Sequence, residues 1–566
     1  MASAVFAMRL ALPSHLGDRG LSIYAAWVLD AVQNGRWICQ INELGVVASK
    51  PPLYIWLAGL ATLAAGRISF VTLFVPGALA TLGTALAIYL FGRTLVEPRA
   101  ALLGGLMYLL SYIGAAQMAL ARPDPVFTLA VTAGAFLALR AWRSGGGWTW
   151  FWLAAAAATL AKGPLGVLLA AGGLLAAPWE RWSDRPRPMP RPIRGSHAIG
   201  LGLFLAITGG WLVLAYLSLG QRVLDRMIIG ELLGHAVGDR GGGVPGQRLH
   251  VQPLTVLWTF APWSLLAALG LWRAVRRPSA NPDARQVERF LACWFLTGLV
   301  ILSLAPHQDP RHLFPIIPPA ALLAGRELAR LLPPLRPAAL AGAGAATAAL
   351  VFGILTLGYH LLLDDRERVV NTRAAQELAG SIRQRVGPDF PLVHVDTPFA
   401  LQLFMNTITP AAAPREAAAL LSGPDAAFVA VRDPGIVRAA LRAGAPPLHE
   451  VARWPENGAP YLRVLSNHPR LEWVDDMAAL FPPIRVELHG MRLLRRRGET
   501  FVLQASRAGA RAVFVNEGRE ILTLRTRVQA GAGTSAGERM LAPGARWELA
   551  GGPDAAAGGP AGGGKP

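Results

Sequence analysis

The sequence predicts a polytopic all-α membrane domain followed by a soluble region with both helices and strands. Three observations predict this class. Hydrophobic residues make up 53% of the chain and charged residues only 16%, against about 25% charged in an ordinary soluble domain. The apolar residues fall in blocks of about 20, the length that crosses a hydrocarbon core of about 30 Å. After Asp364 these blocks give way to short alternating runs, which are typical of strands.

The apolar blocks predict about 11–13 transmembrane helices within residues 1–363. Met1 to Leu16 is a weak first span, because it contains Arg9 and Pro13. Residues 52–66 are short and open with two prolines, so an interfacial or re-entrant helix is expected there. Spanning helices are expected near residues 70–92, 100–118, 125–141, 148–161, 163–178, 198–219, 254–274, 288–305, 312–331 and 338–362.

The net charge of +19 is explained by membrane topology, and nucleic acid is excluded as a partner. Arginines lie in alternate short loops between apolar blocks, without interleaved aromatic residues on one face. Such loops face the cytoplasm by the positive-inside rule. The same alternation puts residues 18–69 and everything after 362 outside. We therefore expect a multi-pass protein of the bacterial inner (plasma) membrane with a periplasmic C-terminal domain.

The region after the last span is expected to contain three parts. Residues 364–470 alternate short strands with helices, which predicts a small α/β domain. Residues 471–550 hold alternating runs that predict a small β-rich module. The Gly- and Pro-rich tail 551–566 is expected to be disordered. None of these parts shows a catalytic constellation, so the region is expected to cover the membrane site or to dock a partner.

Two carboxylates lie in the predicted outer segments. Asp18 precedes the amphipathic segment Leu21–Val32, and Asp124 stands between Pro123 and Pro125 at the outer end of a predicted span. Each could simply cap a helix. Together they could also supply a general base and hold a divalent cation.

Cations lie in the same outer segments. Lys50 precedes Pro51-Pro52, Lys162 precedes Gly163-Pro164, and His307, Arg311 and His312 lie in one short polar loop. Interfacial lysines also serve as anchors for lipid headgroups, and a solvated loop could explain the histidines. Several cations at one membrane face could instead grip a phosphate and stabilise it as it departs.

The order of these segments resembles that of the GT-C membrane glycosyltransferases. The run Tyr24–Trp37 followed by Lys50-Pro-Pro-Leu is similar to the first outer loop of the dolichyl-phosphate-mannose–protein mannosyltransferase-like and lipid A aminoarabinose transferase-like proteins. Arg122-Pro-Asp, Lys162-Gly-Pro, Ala261-Pro-Trp and residues 306–318 resemble later segments of the family. The resemblance covers about residues 18–330.

The resemblance implies a fold, a reaction and a set of roles. The fold would be a GT-C membrane domain, and a sugar would pass with inversion from a polyprenyl-phosphate donor to a lipid, glycan or protein acceptor at the periplasmic face. The expected catalytic residues are Asp18 and Asp124, which would also bind a divalent metal cation. The donor phosphate would be held by Lys50, Lys162, Arg311 and His312, and substrate contacts would come from Tyr24, Glu43 and His307.

The sequence departs from the family pattern at the first acidic pair. The family's Asp-Glu pair reads Asp18-Arg19 here and lies about two residues early. Ser49 stands where the lipid A aminoarabinose transferase has a Glu directly before its Lys-Pro. Two other functions stay open. One is a transporter or flippase of a lipid-linked sugar, although no internal repeat typical of transporters is visible. The other is a catalytically inactive family member that acts as a scaffold.

Overall fold

The computed structural model describes residues 19–118, 120–182, 196–233, 248–333, 366–386, 392–423, 427–441, 447–454, 462–467, 484–497, 500–505, 509–516, 522–530 and 533–550, with isolated residues between them. These residues form two compact units. The first contains Trp37–Gln40 and the described residues from Val47 to residue 353, and the second contains the rest. The predicted first span, most of the predicted span 338–362 and the tail 551–566 lie outside the described residues.

Helix α1 (Arg19–Gln33) belongs to the second unit, and helices make up the first unit. The first unit contains α2 (Leu53–Ala65), α3 (Phe70–Leu95), α4 (Pro98–Leu109), α5 (Tyr112–Gln117), α6 (Asp124–Ser144), α7 (Trp148–Lys162), α8 (Leu165–Ala171), a 3-10 turn (Gly172–Leu175), α9 (Ala176–Arg181), α10 (Ala198–Leu219), a short turn (Gln221–Val223), a π-helical segment (Leu224–Leu233), α11 (Val251–Thr259), α12 (Ser264–Arg276), α13 (Pro282–Leu304), a 3-10 segment (Pro310–Ile316) and α14 (Ile317–Leu331).

Four of the described helices, α3, α6, α10 and α13, are long and apolar enough to cross a membrane. Helix α10 is the most apolar, with a mean hydropathy of 2.1, and only 11% of that stretch is buried within the protein. An apolar surface of this length suits lipid rather than water. The predicted helical membrane class is confirmed, whereas the number of spans stays a prediction.

Several predicted spans are interrupted. The predicted helix 100–118 breaks after Leu109, because Ser111 accepts a hydrogen bond from Gly114 N (3.0 Å) and starts a new helix. The predicted helix 254–274 is broken between Thr259 and Ser264, where Pro262 has no N–H to donate to a helix. The predicted helix 312–331 begins as a 3-10 segment and becomes α-helical only at Ile317.

Helices α6 and α7 form the hairpin that positions the site. They pack against each other, and the link between them contains Gly145 (φ 76°) and Gly147 (φ 85°). Both glycines have the left-handed conformation, which other residues rarely adopt. Because the hairpin is short, the first residue of α6 and the last residue of α7 lie at the same end of the first unit.

The second unit contains three sheets among its described residues. Its first sheet has the order β1 (Leu392–Val395), β2 (Phe428–Val431), β4 (Leu462–Ser466) and β3 (His449–Trp454). Strands β1 and β2 are parallel, and the other pairs are antiparallel. Four helices accompany this sheet, namely α15 (Arg366–Val386), α16 (Phe399–Phe404), α17 (Pro414–Leu421) and α18 (Pro434–Arg438), and α1 packs against α16.

The other two sheets lie in the C-terminal part of the second unit. Their strands are β5 (Ile484–His489), β6 (Met491–Arg497), β7 (Thr500–Ala505), β8 (Arg511–Asn516), β9 (Leu522–Ala530), β10 (Gly533–Leu541) and β11 (Arg546–Ala550). One sheet has the order β10-β9-β7-β6 and the other β11-β8-β5. Phe501, Phe514 and Trp547 belong to their shared core. The α/β and β-rich character predicted for this region is confirmed, while the boundaries at 363/364, 470/471 and 550/551 stay predictions.

Candidate active site

The α6–α7 hairpin brings Asp124 and Lys162 into an ion pair. Asp124 is the first residue of α6 and Lys162 is the last residue of α7, and the Nζ of Lys162 donates to Oδ1 of Asp124. A carboxylate at a helix N-terminus and an ammonium at a C-terminus are each favoured by the helix dipole. The Nζ also lies 5.8 Å from the ring centre of Phe127. The positions of the two residues at helix ends and the contact with Phe127 therefore both favour this ion pair.

Lys50 forms a second ion pair nearby. It lies just before Pro52, which caps the N-terminus of α2, and its Nζ donates to Oε1 of Glu231 on the π-helical segment. Burial lowers the pKa of Lys50, and the charge and hydrogen bond of Glu231 oppose that shift. The charges of Lys162 and Asp124 also act on the pKa of Lys50. The two ion pairs are therefore electrostatic neighbours.

The 3-10 segment after α13 adds a third group. Asp309 caps it, and Oδ1 of Asp309 accepts hydrogen bonds from the backbone N and Nε of Arg311, both at 2.8 Å. Nη2 of Arg311 donates to Oδ2 of the same carboxylate, which makes the pair bidentate. Burial alone would raise the pKa of Asp309, but these bonds and the Arg311 charge hold it below its usual value.

His312 connects this segment to the first ion pair. Burial, followed by the charge of Lys162, lowers the pKa of His312 to about 3, so its imidazole is neutral near pH 7. Asp124 and Asp309 oppose that shift. The ring of His307 lies 5.9 Å from the ring of His312. His307, Arg311 and His312 therefore lie in one turn, and His312 lies within electrostatic reach of Lys162 and Asp124.

The structure thus brings together most of the residues predicted in the first unit. Sequence reasoning missed Glu231, and the signal that could have found it is a carboxylate in the otherwise apolar run Met227–Leu233. Lysine is rare in this chain, with only three among 54 basic residues. Two of the three, Lys50 and Lys162, are among the residues brought together here, and the compact charge of a lysine ammonium suits binding of a phosphate. The cluster comprises Lys50, Asp124, Lys162, Glu231, His307, Asp309, Arg311 and His312.

Three predicted residues, Asp18, Tyr24 and Glu43, are not among the described residues of the first unit. Asp18 lies outside the described residues. Tyr24 belongs to the second unit and is buried, with its ring 5.2 Å from that of Trp27 in an edge-to-face contact. Glu43 belongs to the same unit, in the turn between Asn42 and Val46, and burial raises its pKa. Their predicted substrate contacts stay predictions.

Asp30 is a second residue that sequence reasoning missed. It lies on α1 and is only 1% exposed. Its carboxylate accepts hydrogen bonds from Asn34 Nδ2 (2.7 Å), Arg36 Nη1 (3.2 Å) and Ile41 N (2.8 Å). These bonds hold the turn after α1. An acidic residue within the apolar stretch Trp27–Val32 was the available signal.

Of the two ligands predicted for a divalent cation, only Asp124 is among the described residues. Among them, no group of three or more His, Cys, Asp or Glu side chains is arranged to hold a metal ion. The carboxylate of Asp124 already accepts from the ammonium of Lys162. The other predicted ligand, Asp18, lies outside the described residues, so metal binding stays a prediction.

Comparison with known proteins identifies the fold of this chain. Residues 49–190, which include Lys50, Asp124 and Lys162, match the sequence model of the dolichyl-phosphate-mannose-protein mannosyltransferase family. The chain superposes on the crystal structure of ArnT from Cupriavidus metallidurans bound to undecaprenyl phosphate with a TM-score of 0.62, at 19% identity, covering 83% of this chain and 97% of that one. The chain has the GT-C fold. The apo state of ArnT gives a TM-score of 0.59 at 17% identity, over 82% and 96% of the two chains.

Two curated proteins of Aquifex aeolicus (strain VF5), both described as uncharacterized, are also similar to this chain. One is 24% identical over 311 residues, which is 53% of this chain and 57% of the relative. The other is 25% identical over 308 residues, which is 54% of this chain and 66% of the relative. The matches thus span somewhat over half of each relative's length. The resemblance to GT-C membrane glycosyltransferases that the sequence predicted is confirmed by the family match and the fold.

Proposed function

We propose that this protein is an inverting membrane glycosyltransferase that takes a sugar from a polyprenyl-phosphate donor at the periplasmic face of the bacterial inner membrane. The observation that carries the proposal is the convergence of Lys50, Lys162 and His312 within one largely buried cluster. It is supported by the family match over this region and by the fold shared with ArnT, which has been crystallised with undecaprenyl phosphate. The acceptor is a lipid, glycan or protein.

In the proposed reaction the cations hold the donor phosphate. Lys50 and Lys162 would contact its oxygens as point charges, and Arg311 would offer planar donors. Neutral His312 would donate one N–H. As the bond between the anomeric carbon and the phosphate oxygen breaks, these groups would stabilise the charge on the departing polyprenyl phosphate.

The acidic residues would act on the acceptor. Asp18 would take the proton from the acceptor hydroxyl as its oxygen attacks the anomeric carbon from the face opposite the phosphate. Asp124 would orient this step and share any divalent cation with Asp18. The products would be the inverted glycoside and polyprenyl monophosphate, with the acceptor proton on the base.

A donor-turnover assay tests this proposal. Purified protein in proteoliposomes would receive radiolabelled polyprenyl-phosphate sugars and a crude membrane extract as acceptor. Because a charge-assisted phosphate contact contributes about 1.5–3 kcal/mol, Lys50→Ala and Lys162→Ala should lower donor use about ten- to a hundredfold. The control is Arg67→Ala, which removes an exposed cation after α2 on the same predicted side. Wild-type turnover in both lysine variants would reduce these residues to headgroup anchors and refute the proposal.

A further inference from the structure

The carboxylate of Glu231 forms an ion pair with the ammonium of Lys50. The proposed function assigns this ammonium to the donor phosphate. Both side chains are largely buried, at 20% exposed for Lys50 and 15% for Glu231. A carboxylate and a phosphate present the same kind of acceptor oxygen to a lysine. In the donor-free protein, the position of a phosphate oxygen on Lys50 is therefore already taken.

The charges of the two ion pairs cancel. Lys50 and Lys162 contribute two positive charges, and Glu231 and Asp124 contribute two negative charges. A phosphodiester donor carries about one negative charge and would meet no net attraction from these four groups. One of the two carboxylates must withdraw before a lysine can bind the phosphate with full strength.

Asp124 is the less movable of the two carboxylates. It is the first residue of α6, only 8% of its side chain is exposed, and its backbone O accepts from Thr128 Oγ1 at 2.9 Å. The α6–α7 hairpin fixes it beside Lys162. Glu231 instead lies on the π-helical segment Leu224–Leu233, a rare conformation that is found mostly in short stretches, frequently at functional sites.

We propose that Glu231 is an internal competitor of the donor, whose carboxylate holds Lys50 in the donor-free protein and is displaced by the donor phosphate. This inference rests on the proposed function. It also gives Glu231 a role after transfer. The leaving polyprenyl monophosphate carries about −1.5 to −2 charge, more than the donor, and would hold Lys50 tightly. Return of the Glu231 carboxylate to Lys50 would then assist product release.

The test is a binding measurement with undecaprenyl phosphate in detergent, read by intrinsic tryptophan fluorescence. Four proteins are compared, namely wild type, Glu231→Gln, Asp225→Asn and Lys50→Ala. Asp225 is the matched control, because it lies exposed on the same segment and accepts from Gln221 instead of a lysine. Glu231→Gln should bind about ten- to a hundredfold more tightly than wild type, and Asp225→Asn should bind within about twofold of it. Lys50→Ala should lose most binding.

Steady-state turnover gives the second readout. Glu231→Gln should lower both KM and kcat, because donor and product are both retained, and Asp225→Asn should change neither. If Glu231→Gln does not fold, Glu231→Asp decides, since its shorter side chain weakens the contact with Lys50 but keeps the charge. Its binding should be tighter than that of wild type by a smaller factor.

Three results would overturn the inference, and only one of them would also contradict the proposed function. Unchanged affinity in Glu231→Gln would mean that the carboxylate does not compete with phosphate. Weaker affinity would make Glu231 a positioning residue for Lys50. In both cases, loss of binding in Lys50→Ala would leave the proposed function standing. Failure of wild type to bind undecaprenyl phosphate would overturn both.

Discussion

The ion pair between Asp124 and Lys162 can be tested separately for stability and for function with a double-mutant cycle. Asp124→Asn leaves the ammonium of Lys162, 19% exposed, without its carboxylate. Removing one partner of a buried pair destabilises by about 3–5 kcal/mol, and partial exposure of Lys162 lowers this to about 2–4 kcal/mol. Lys162→Met leaves Asp124 at the N-terminus of α6, where the helix dipole still favours it, so about 1–3 kcal/mol is expected.

The double variant Asp124→Asn/Lys162→Met should be more stable than the sum of the single changes predicts. Replacing a whole buried pair by neutral groups of similar volume is often close to neutral. Because the two single changes sum to about 3–7 kcal/mol, we expect a coupling of about 3 kcal/mol, at the upper end of the usual range. Stability is measured by SDS titration in mixed micelles with tryptophan fluorescence, and donor turnover is measured on the same samples. All three variants should lose most turnover. Strict additivity, or a double variant that is both stable and active, would refute the reasoning.

Three further predictions concern pH, packing and topology. Burial lowers the pKa of His312 to about 3, so below about pH 6.5 the unfolded chain binds a proton that the folded protein does not. The free energy of unfolding of the wild type should therefore fall by up to about 1.4 kcal/mol per pH unit there. In unfolding titrations between pH 7 and 5, the free energy of unfolding of His312→Gln should fall less. A Cβ at Gly325 would lie 2.4 Å from the backbone O of Ala100, so Gly325→Ala should lower the thermal midpoint in detergent, whereas Gly202→Ala, with nothing within 4 Å, should leave it unchanged or raise it. A reporter fused after residue 190 should report cytoplasm and one after residue 380 periplasm; the reverse result would put the predicted outer loops inside.

The sequence predicted the parts of the site that depend on local chain geometry. Asp124 and Lys162 flank two apolar blocks joined by a glycine-containing link, so a helical hairpin had to bring them to one end. The grouping of Arg311 and His312 followed from their adjacency. Each of these depends on helix length and turn chemistry, which a single sequence carries.

The missed contacts depend on tertiary packing. Glu231 lies 181 residues from Lys50 in the chain, and its segment has no apolar period that specifies a π-helix. The helix breaks at Ser111 and Pro262 were hidden because the apolar blocks continue through them, and hydropathy records composition rather than backbone hydrogen bonding. In the second unit, β6 carries four arginines in seven residues, so its strand character is set by pairing with β7 rather than by alternation.

The most direct test of the proposed function is release of polyprenyl monophosphate from a labelled polyprenyl-phosphate sugar by wild-type protein in proteoliposomes. With a membrane extract supplied as acceptor, we expect released lipid phosphate and transferred sugar in equal amounts, and a loss of about 10²–10⁴-fold in Asp18→Asn if Asp18 is the base. An intact donor that crosses the bilayer without release, in every extract tried, would contradict the account and identify a transporter of lipid-linked sugars.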